Sequence, residues 1–163
     1  MAKCISTRYG HDVVELDALF WLPDWTECGT DDFNRKVSEA MERTSGMWVV
    51  DGNYFGKLSS LVSEQCDTVI WLDLPWRLVF WRIVMRSIFR SINKERICGD
   101  NLESWRSMVN RQHIIWDYLR KRKSYRLKGE RLLSKVSKTV PVIRVGSRKE
   151  LDFLYDTHGL KRE

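Results

Sequence analysis

The sequence lacks a hydrophobic run that could cross a membrane, for which about 18 uninterrupted apolar residues are needed. Its most apolar stretch, WRLVFWRIVMRSIF at residues 76–89, is interrupted repeatedly by arginine. Internal repeats and low-complexity linkers are lacking as well. A chain of 163 residues with these properties is predicted to form a single domain over residues 1–163, with no membrane as its partner.

Cysteine is scarce and scattered. The four cysteines are too far apart for a metal knuckle or a redox pair, at Cys4, Cys28, Cys66 and Cys98. No signal-peptide pattern precedes them, so we expect reduced thiols in a cytoplasmic protein.

Acidic residues are scarce in the second half of the chain. Residues 1–75 carry 6 Lys and Arg against 13 Asp and Glu, a net charge of −7, whereas residues 76–163 carry 22 against 9, a net charge of +13. A segment this basic predicts an anionic partner: nucleotide phosphates, nucleic acid or a membrane surface. Charge alone does not distinguish among them.

Short apolar runs alternate with helical patterns. The runs are typical of strands covered on both faces, at Val13–Asp17, Trp48–Asp51, Thr68–Leu74 and Val140–Val145. The helical patterns include a first helix ending at Gly10, one starting at Thr30 as N-cap, Trp76–Ile92, Glu103–Lys121, and one from Ser147 to about Tyr155. This alternation predicts the α/β class, with a mostly parallel sheet and helices on both faces.

Aspartates stand at or near the ends of three predicted strands: Asp17, Asp51 and Asp73. Ligands bind beyond the carboxyl ends of parallel strands, so these carboxylates could coordinate Mg²⁺ or take a proton from a substrate hydroxyl. Alternatively, aspartate simply begins a turn well. Asp51 is the strongest candidate, because Gly52 and Asn53 follow it in a tight polar turn.

Aromatic and basic side chains supply further candidates. Phe20 and Trp21 could wall a substrate pocket together with Tyr54, or belong to the core. Arg82 and Arg86 begin a stripe spaced four apart that an anion would bridge, although a solvated helix face is the alternative. The positive region continues at Arg90, Arg96, Arg106 and Arg111, where a polar loop could close as a lid.

The charge-dense segment at residues 120–131 has two interpretations. A solvated helix end is the simpler one, and contact with nucleic acid is the alternative.

A glycine-rich phosphate loop, G-x-x-x-x-G-K-[ST], is also missing. The nearest approach is GNYFGKL, with Gly52, Gly56 and Lys57. It has one residue too few between the glycines, and Leu58 stands where the Mg²⁺-binding hydroxyl belongs. We interpret it as a chance similarity.

Several stretches nevertheless resemble a known family in their order along the chain: ELDALFWLPDW, WVVDGNY, DTVIWLDLP, GDNLESWR with the following IIWDYLRKRK, and VIRVGSRKEL. They are similar to the small P-loop kinases of the nucleoside-monophosphate-kinase type, specifically the group labelled topology modulation protein or adenylate kinase-like. The resemblance covers about residues 3–155.

The resemblance implies a P-loop NTPase-like, three-layer parallel sheet and phosphoryl transfer from ATP with Mg²⁺ to a small acceptor. Asp17 and Asp51 would act in catalysis, with Asp51 in the Walker B position as the metal ligand. Arg82 and Arg86 would stabilise charge, and a lid-like region would span about residues 90–106. Asp73, the later arginines, Gly146 and Ser147 would bind the nucleotide.

The sequence departs from this family at its start. MAKCISTRYG matches only the helix that follows the phosphate loop, so the first, interior strand and the loop are missing and the domain is expected to be truncated. In the family that strand lies between the strands corresponding to Trp48–Asp51 and Thr68–Leu74. The sequence therefore predicts an inactive or impaired phosphotransferase. The alternatives are a polyanion- or nucleic-acid-binding module and an interaction protein.

Overall fold

The fold is that of a computed structural model, which describes residues 1–54, 56–58, 61–98, 101–102, 114–136 and 140–161. The chain divides into two compact units, the first comprising Met1–Cys66 with Arg148–Glu163 and the second Asp67–Ser147. The single domain over residues 1–163 stays a prediction.

The elements follow one another as α1 (Ala2–Tyr9), β1 (Asp12–Glu15), α2 (Leu16–Phe20), β2 (Trp21–Leu22), β3 (Thr26–Glu27), α3 (Thr30–Glu42), β4 (Trp48–Asp51), α4 (Leu61–Gln65), β5 (Val69–Leu72), α5 (Trp76–Asn93), β6 (Arg96–Ile97), β7 (Asn101–Leu102), α6 (Ile114–Val136), β8 (Val142–Val145) and α7 (Arg148–Thr157). Helix α1 ends where the sequence predicts, at Gly10, whose φ of 74° is left-handed.

In the first unit, β1 and β4 pair in parallel, with Val14 opposite Val50 and Glu15 opposite Asp51. Strand β1 ends earlier than predicted, because Leu16 and Asp17 already belong to α2. The sequence missed this boundary because a short apolar run reads alike in a strand and in a buried helical turn. Leu16 is only 2% exposed, so its apolar character reflects burial in the core.

Helix α3 closes the core of the first unit. Phe33, Val37 and Met41 are buried on one helical face, at the four-residue spacing of an amphipathic helix. They pack in one cluster with Phe20 and Val14. The prediction that Thr30 is the N-cap is wrong: Gly29 occupies that position and Thr30 is the first helical residue.

In the second unit, β5 pairs in parallel with β8, with Ile70 opposite Ile143 and Leu72 opposite Val145. Helix α5 follows Pro75 and ends at Asn93, close to the predicted Trp76–Ile92, and the C-cap Lys94 terminates it with a left-handed φ of 50°. Helix α6 packs against α5.

Helix α6 also continues through the basic segment at residues 120–131, which the sequence had assigned to a helix end. The first part of the predicted Glu103–Lys121 helix, residues 103–113, lies outside the described residues. None of the helices in the described ranges is both long and apolar enough to traverse a bilayer.

The strands of the described residues form four two-stranded sheets. Two are the parallel pairs β1–β4 and β5–β8, and two are the short antiparallel pairs β2–β3 and β6–β7. The predicted α/β class with parallel strand pairing is thereby confirmed.

Candidate functional site

The candidate site of the first unit lies at the carboxyl ends of β1 and β4. Because these strands are parallel and Glu15 lies opposite Asp51, both strands end at the same edge of the sheet. There the Tyr54 hydroxyl donates a hydrogen bond to Asp17 Oδ1 at 2.7 Å. We call the exposed Glu15, Asp17 and Asp51 the acidic edge. Two of the predicted aspartates and the turn that follows β4 thus meet at one edge.

Gly52 makes this arrangement sterically possible. Its φ is 150°, and a Cβ added to it would lie 2.7 Å from Leu16 Cβ. The turn after β4 therefore approaches the start of α2 as closely as only glycine permits. Asp51 precedes Gly52 in this turn and Asn53 follows it, and both side chains are exposed to solvent.

The acidic edge does not form a protein cage for a metal ion. Among the described residues, no group of three or more His, Cys, Asp or Glu is arranged to hold one. Mg²⁺ in phosphoryl-transfer sites typically takes one or two carboxylates, with waters and substrate phosphates as its other ligands. The exposed Asp51 carboxylate could serve as one such carboxylate ligand.

The aromatic residues after Asp17 belong mainly to the core. Phe20 is 2% exposed, and its ring centroid lies 5.1 Å from that of Phe33 and 4.7 Å from that of Tyr54. Trp21 is partly buried against Phe20 and Trp25. Phe20 therefore packs against the Tyr54 ring and fixes its position. Trp21 is partly exposed, so a ligand can reach part of its surface.

Lys57 and Leu58 of the GNYFGKL segment are both engaged within the protein. Lys57 Nζ lies 2.8 Å from Glu27 Oε2 and 4.0 Å from the Phe20 ring centroid. Leu58 is buried, with 4% of its surface exposed. The lysine is thus held by a carboxylate and an aromatic ring within the protein, in agreement with the interpretation from its spacing.

In the second unit, Asp73 lies between two arginines. Its carboxylate accepts hydrogen bonds from Arg144, and Arg126 Nη2 lies 3.4 Å from Asp73 Oδ2. The Arg144 guanidinium also stacks 4.8 Å from the Trp71 ring centroid. The Asp73 side chain is 13% exposed, whereas those of Arg126 and Arg144 are 58% and 51% exposed, so only the carboxylate is shielded from solvent. Asp73 is neutralised by arginine, which leaves it poorly suited to a cation.

The carboxyl edge of the second sheet also carries two residues predicted to lie near a nucleotide. Asp73 N donates to the Val145 carbonyl at 2.9 Å, which places Asp73 beside the end of β8. Gly146 and Ser147 follow directly, both partly buried. They share one sheet edge with Asp73, as the parallel pairing requires.

The predicted arginines have different surroundings. Arg82 and Arg86 are exposed on α5 and have no acidic partner among the described residues. Arg90 is 22% exposed and lies 3.9 Å from Glu95, and Arg96 is exposed in β6. Arg106 and Arg111 lie outside the described residues. The nucleotide-binding and charge-stabilising roles expected of these arginines stay predictions.

No family model, curated protein or solved structure matches the chain.

Two clusters at or near these sites were missed from the sequence. Arg144 approaches Asp73 because β5 and β8 pair in one register, and Arg126 approaches it from α6; no local pattern encodes either contact. The second cluster surrounds Asp32. Hydrogen bonds from Arg35, and then from Cys28 and Lys36, lower the Asp32 pKa to about 2. The sequence does indicate this cluster, because Arg35 and Lys36 follow Asp32 by three and four residues on one helix.

Proposed function

We propose that this chain provides most of a P-loop kinase-like, ATP-dependent phosphotransferase domain acting on a small molecule or nucleotide. The observation that carries the proposal is the pairing of its strands. In the family that the sequence resembles, an interior strand lies between those corresponding to Trp48–Asp51 and Thr68–Leu74. Such a sheet without its interior strand would consist of two parallel pairs, and the parallel pairs β1–β4 and β5–β8 support the proposal in this respect.

The proposal assigns a role to each sheet edge. In the first unit, Asp51 would hold Mg²⁺ and the loop containing Asp17 would face the acceptor. In the second unit, Gly146 and Ser147 would lie near the adenine, and Arg82 and Arg86 would stabilise phosphate charge. The hydrogen bond from Tyr54 to Asp17 and the exposure of Asp51 support the assignment for the first unit.

The proposal also predicts weak activity for the 163 residues themselves. They contain no G-x-x-x-x-G-K-[ST] loop, whose backbone amides and lysine would hold the β- and γ-phosphates. Positioning and charge stabilisation provide nearly all of the catalysis of phosphoryl transfer. We expect turnover far below the 1–100 s⁻¹ that is roughly usual for kinases.

The decisive experiment adds the β-strand and the phosphate loop that the 163 residues do not contain. A β-strand and a G-x-x-x-x-G-K-[ST] loop are joined ahead of Met1, and MgATP binding is measured by calorimetry. The control carries the same extension with alanine in place of the loop lysine. We expect MgATP binding with the intact loop and its loss in the control and in Asp51→Asn. Equal MgATP binding with and without the loop lysine would contradict the proposal.

A second candidate, a polyanion-binding module, is favoured by the charge of α6. Residues 114–136 contain eight Lys and Arg against two Asp and Glu. Such binding would need no Mg²⁺ and would weaken steeply with salt. Titrating labelled single-stranded DNA at two salt concentrations tests it, with Lys123→Gln/Lys128→Gln as the weakened variant. DNA binding that is insensitive to salt would exclude this candidate.

A further inference from the structure

Helix α5 exposes a continuous apolar stripe to solvent. Trp81 is 61% exposed, Met85 45%, Phe89 64% and Ile92 62%. Their spacing of four, four and three residues places them within an arc of about 80° on the helix. The stripe is about 16 Å long at the usual helical rise. Large apolar side chains contiguous on a surface mark an interaction site more often than chance exposure does.

Arginines flank this α5 stripe on both sides. Arg82 and Arg86 lie along one side and Arg77 along the other, and all three are exposed. Helix α5 contains four arginines and no acidic residue. The partner of the stripe must therefore offer apolar material in the middle and negative charge along both margins.

We propose that the α5 stripe docks the protein onto a membrane surface rich in anionic phospholipid. The helix would lie parallel to the bilayer, with Trp81 and Phe89 at the boundary between headgroups and acyl chains and the arginines at the phosphates. Interfacial helices use this combination of aromatic and apolar side chains with flanking basic residues. Such a surface contact differs from spanning the bilayer, for which no helix in the described ranges is long and apolar enough.

Two other partners fit the stripe less well. A second copy that docked through the same stripe would bring arginines against arginines, which is repulsive. Single-stranded nucleic acid stacks its bases on aromatic rings, but Met85 and Ile92 provide no such platform. Arg82 and Arg86 enter both this inference and the proposed phosphotransferase function, whereas the apolar stripe itself belongs to this inference alone.

The test is co-sedimentation of the full chain with vesicles of phosphatidylcholine alone or mixed equally with phosphatidylglycerol. We expect binding to the mixed vesicles and little to phosphatidylcholine. Phe89→Ser should weaken binding about tenfold, because it removes an aromatic side chain that membrane binding would bury. The matched control is Phe153→Ser, which changes a phenylalanine that is 72% exposed on α7 and should bind like the unmodified chain.

The charged margin is tested separately. Arg82→Gln/Arg86→Gln should weaken binding by about fivefold for each arginine, and added salt should weaken binding of the unmodified chain. Lys123→Gln/Lys128→Gln removes the same charge from exposed positions on a different helix, α6, and should change vesicle binding by less than about twofold.

An optical measurement keeps the proposal open to refutation if Phe89→Ser fails to fold. Trp81→Phe preserves the apolar stripe, and the difference between its fluorescence and that of the unmodified chain isolates Trp81. We expect that difference spectrum to shift to the blue when mixed vesicles are added. No vesicle binding, equal losses from Phe89→Ser and Phe153→Ser, or α5-dependent binding only to single-stranded DNA or an acidic protein would each overturn the proposal.

Discussion

At the scale of single residues, Gly52 has the clearest structural requirement. Its φ of 150° and the 2.7 Å separation between an added Cβ and Leu16 Cβ exclude any side chain without movement of the backbone. Since the same turn carries Asp51 and Asn53, strain here would displace the acidic edge.

We predict that Gly52→Ala lowers the free energy of unfolding by about 2 kcal/mol or more, from steric overlap and an unfavourable φ. Urea denaturation measures the change. Gly56→Ala is the control, because its added Cβ meets no atom within 4 Å, and it should stay within about 0.5 kcal/mol of the unmodified chain. Equal effects of the two substitutions would contradict the steric argument.

Tyr125 is a second residue with a definite energetic role. Its hydroxyl donates to Asp117 Oδ2 at 2.6 Å on α6. Burial first, and then this hydrogen bond, raise the Tyr125 pKa to about 12. The neutral phenol is thus favoured in the folded protein. The contribution of Tyr125 to the free energy of unfolding is complete below pH 10, where the phenol is neutral in the unfolded state as well. It is lost between about pH 10 and pH 12 as the unfolded state ionises first.

We predict that Tyr125→Phe lowers the free energy of unfolding at pH 8 by about 1–2 kcal/mol, the usual range for a hydrogen bond to a charged group that is partly solvated. The difference between the two proteins should shrink at pH 11. Urea unfolding at both pH values provides the comparison. A difference that does not change with pH would show that the Tyr125 pKa is not raised by folding.

At the scale of elements, the first turn of α3 combines helix and side-chain electrostatics. Asp32 accepts hydrogen bonds from Arg35 and Cys28, and Lys36 Nζ lies 3.2 Å from its Oδ2. These contacts lower its pKa to about 2. The stabilisation is therefore present above about pH 4, where the unfolded carboxyl is ionised, and is lost as the pH falls toward 2.

We predict that Asp32→Asn lowers the melting temperature at pH 6 and that this difference diminishes at pH 2.5. Asp31→Asn is the matched control: Asp31 is exposed in the same first turn, so it shares the helix dipole but not this network. Thermal unfolding followed by circular dichroism distinguishes them. Similar shifts for both variants would assign the effect to the dipole alone.

The elements also show where sequence patterns suffice. Strand β4 coincides with the predicted Trp48–Asp51, and α5 differs from its predicted end by one residue. Both have strong local patterns: a bounded apolar run, and a long helical segment that starts after proline. The end of β1 was wrong because Leu16 is apolar for reasons of core packing, which local periodicity does not report.

At the scale of the whole molecule, the two units differ in charge. Met1–Cys66 with Arg148–Glu163 carries 10 Lys and Arg against 15 Asp and Glu, a net −5, and Asp67–Ser147 carries 18 against 7, a net +11. Each unit has its own two-stranded parallel sheet. Isolated strand pairs bury little backbone and are usually stabilised by further strands.

We therefore predict marginal stability for the isolated monomer, with a free energy of unfolding at or below about 5 kcal/mol. Guanidinium denaturation at low protein concentration measures it. The N-terminal extension that carries a β-strand should raise this value, and an extension whose strand is interrupted by proline should not. A sharp, cooperative melt of the unextended monomer at high temperature would contradict the prediction.

The sequence by itself determined the α/β alternation, the acidic and basic halves, and Asp51 with Gly52 and Asn53 at the end of a strand, because these depend on neighbouring residues. Only the tertiary structure decided the partners of Asp73 and Asp17. Arg144 lies 71 residues from Asp73, and Tyr54 lies 37 residues from Asp17. Strand register and core packing bring such residues together, and both depend on the whole unit and not on any short stretch.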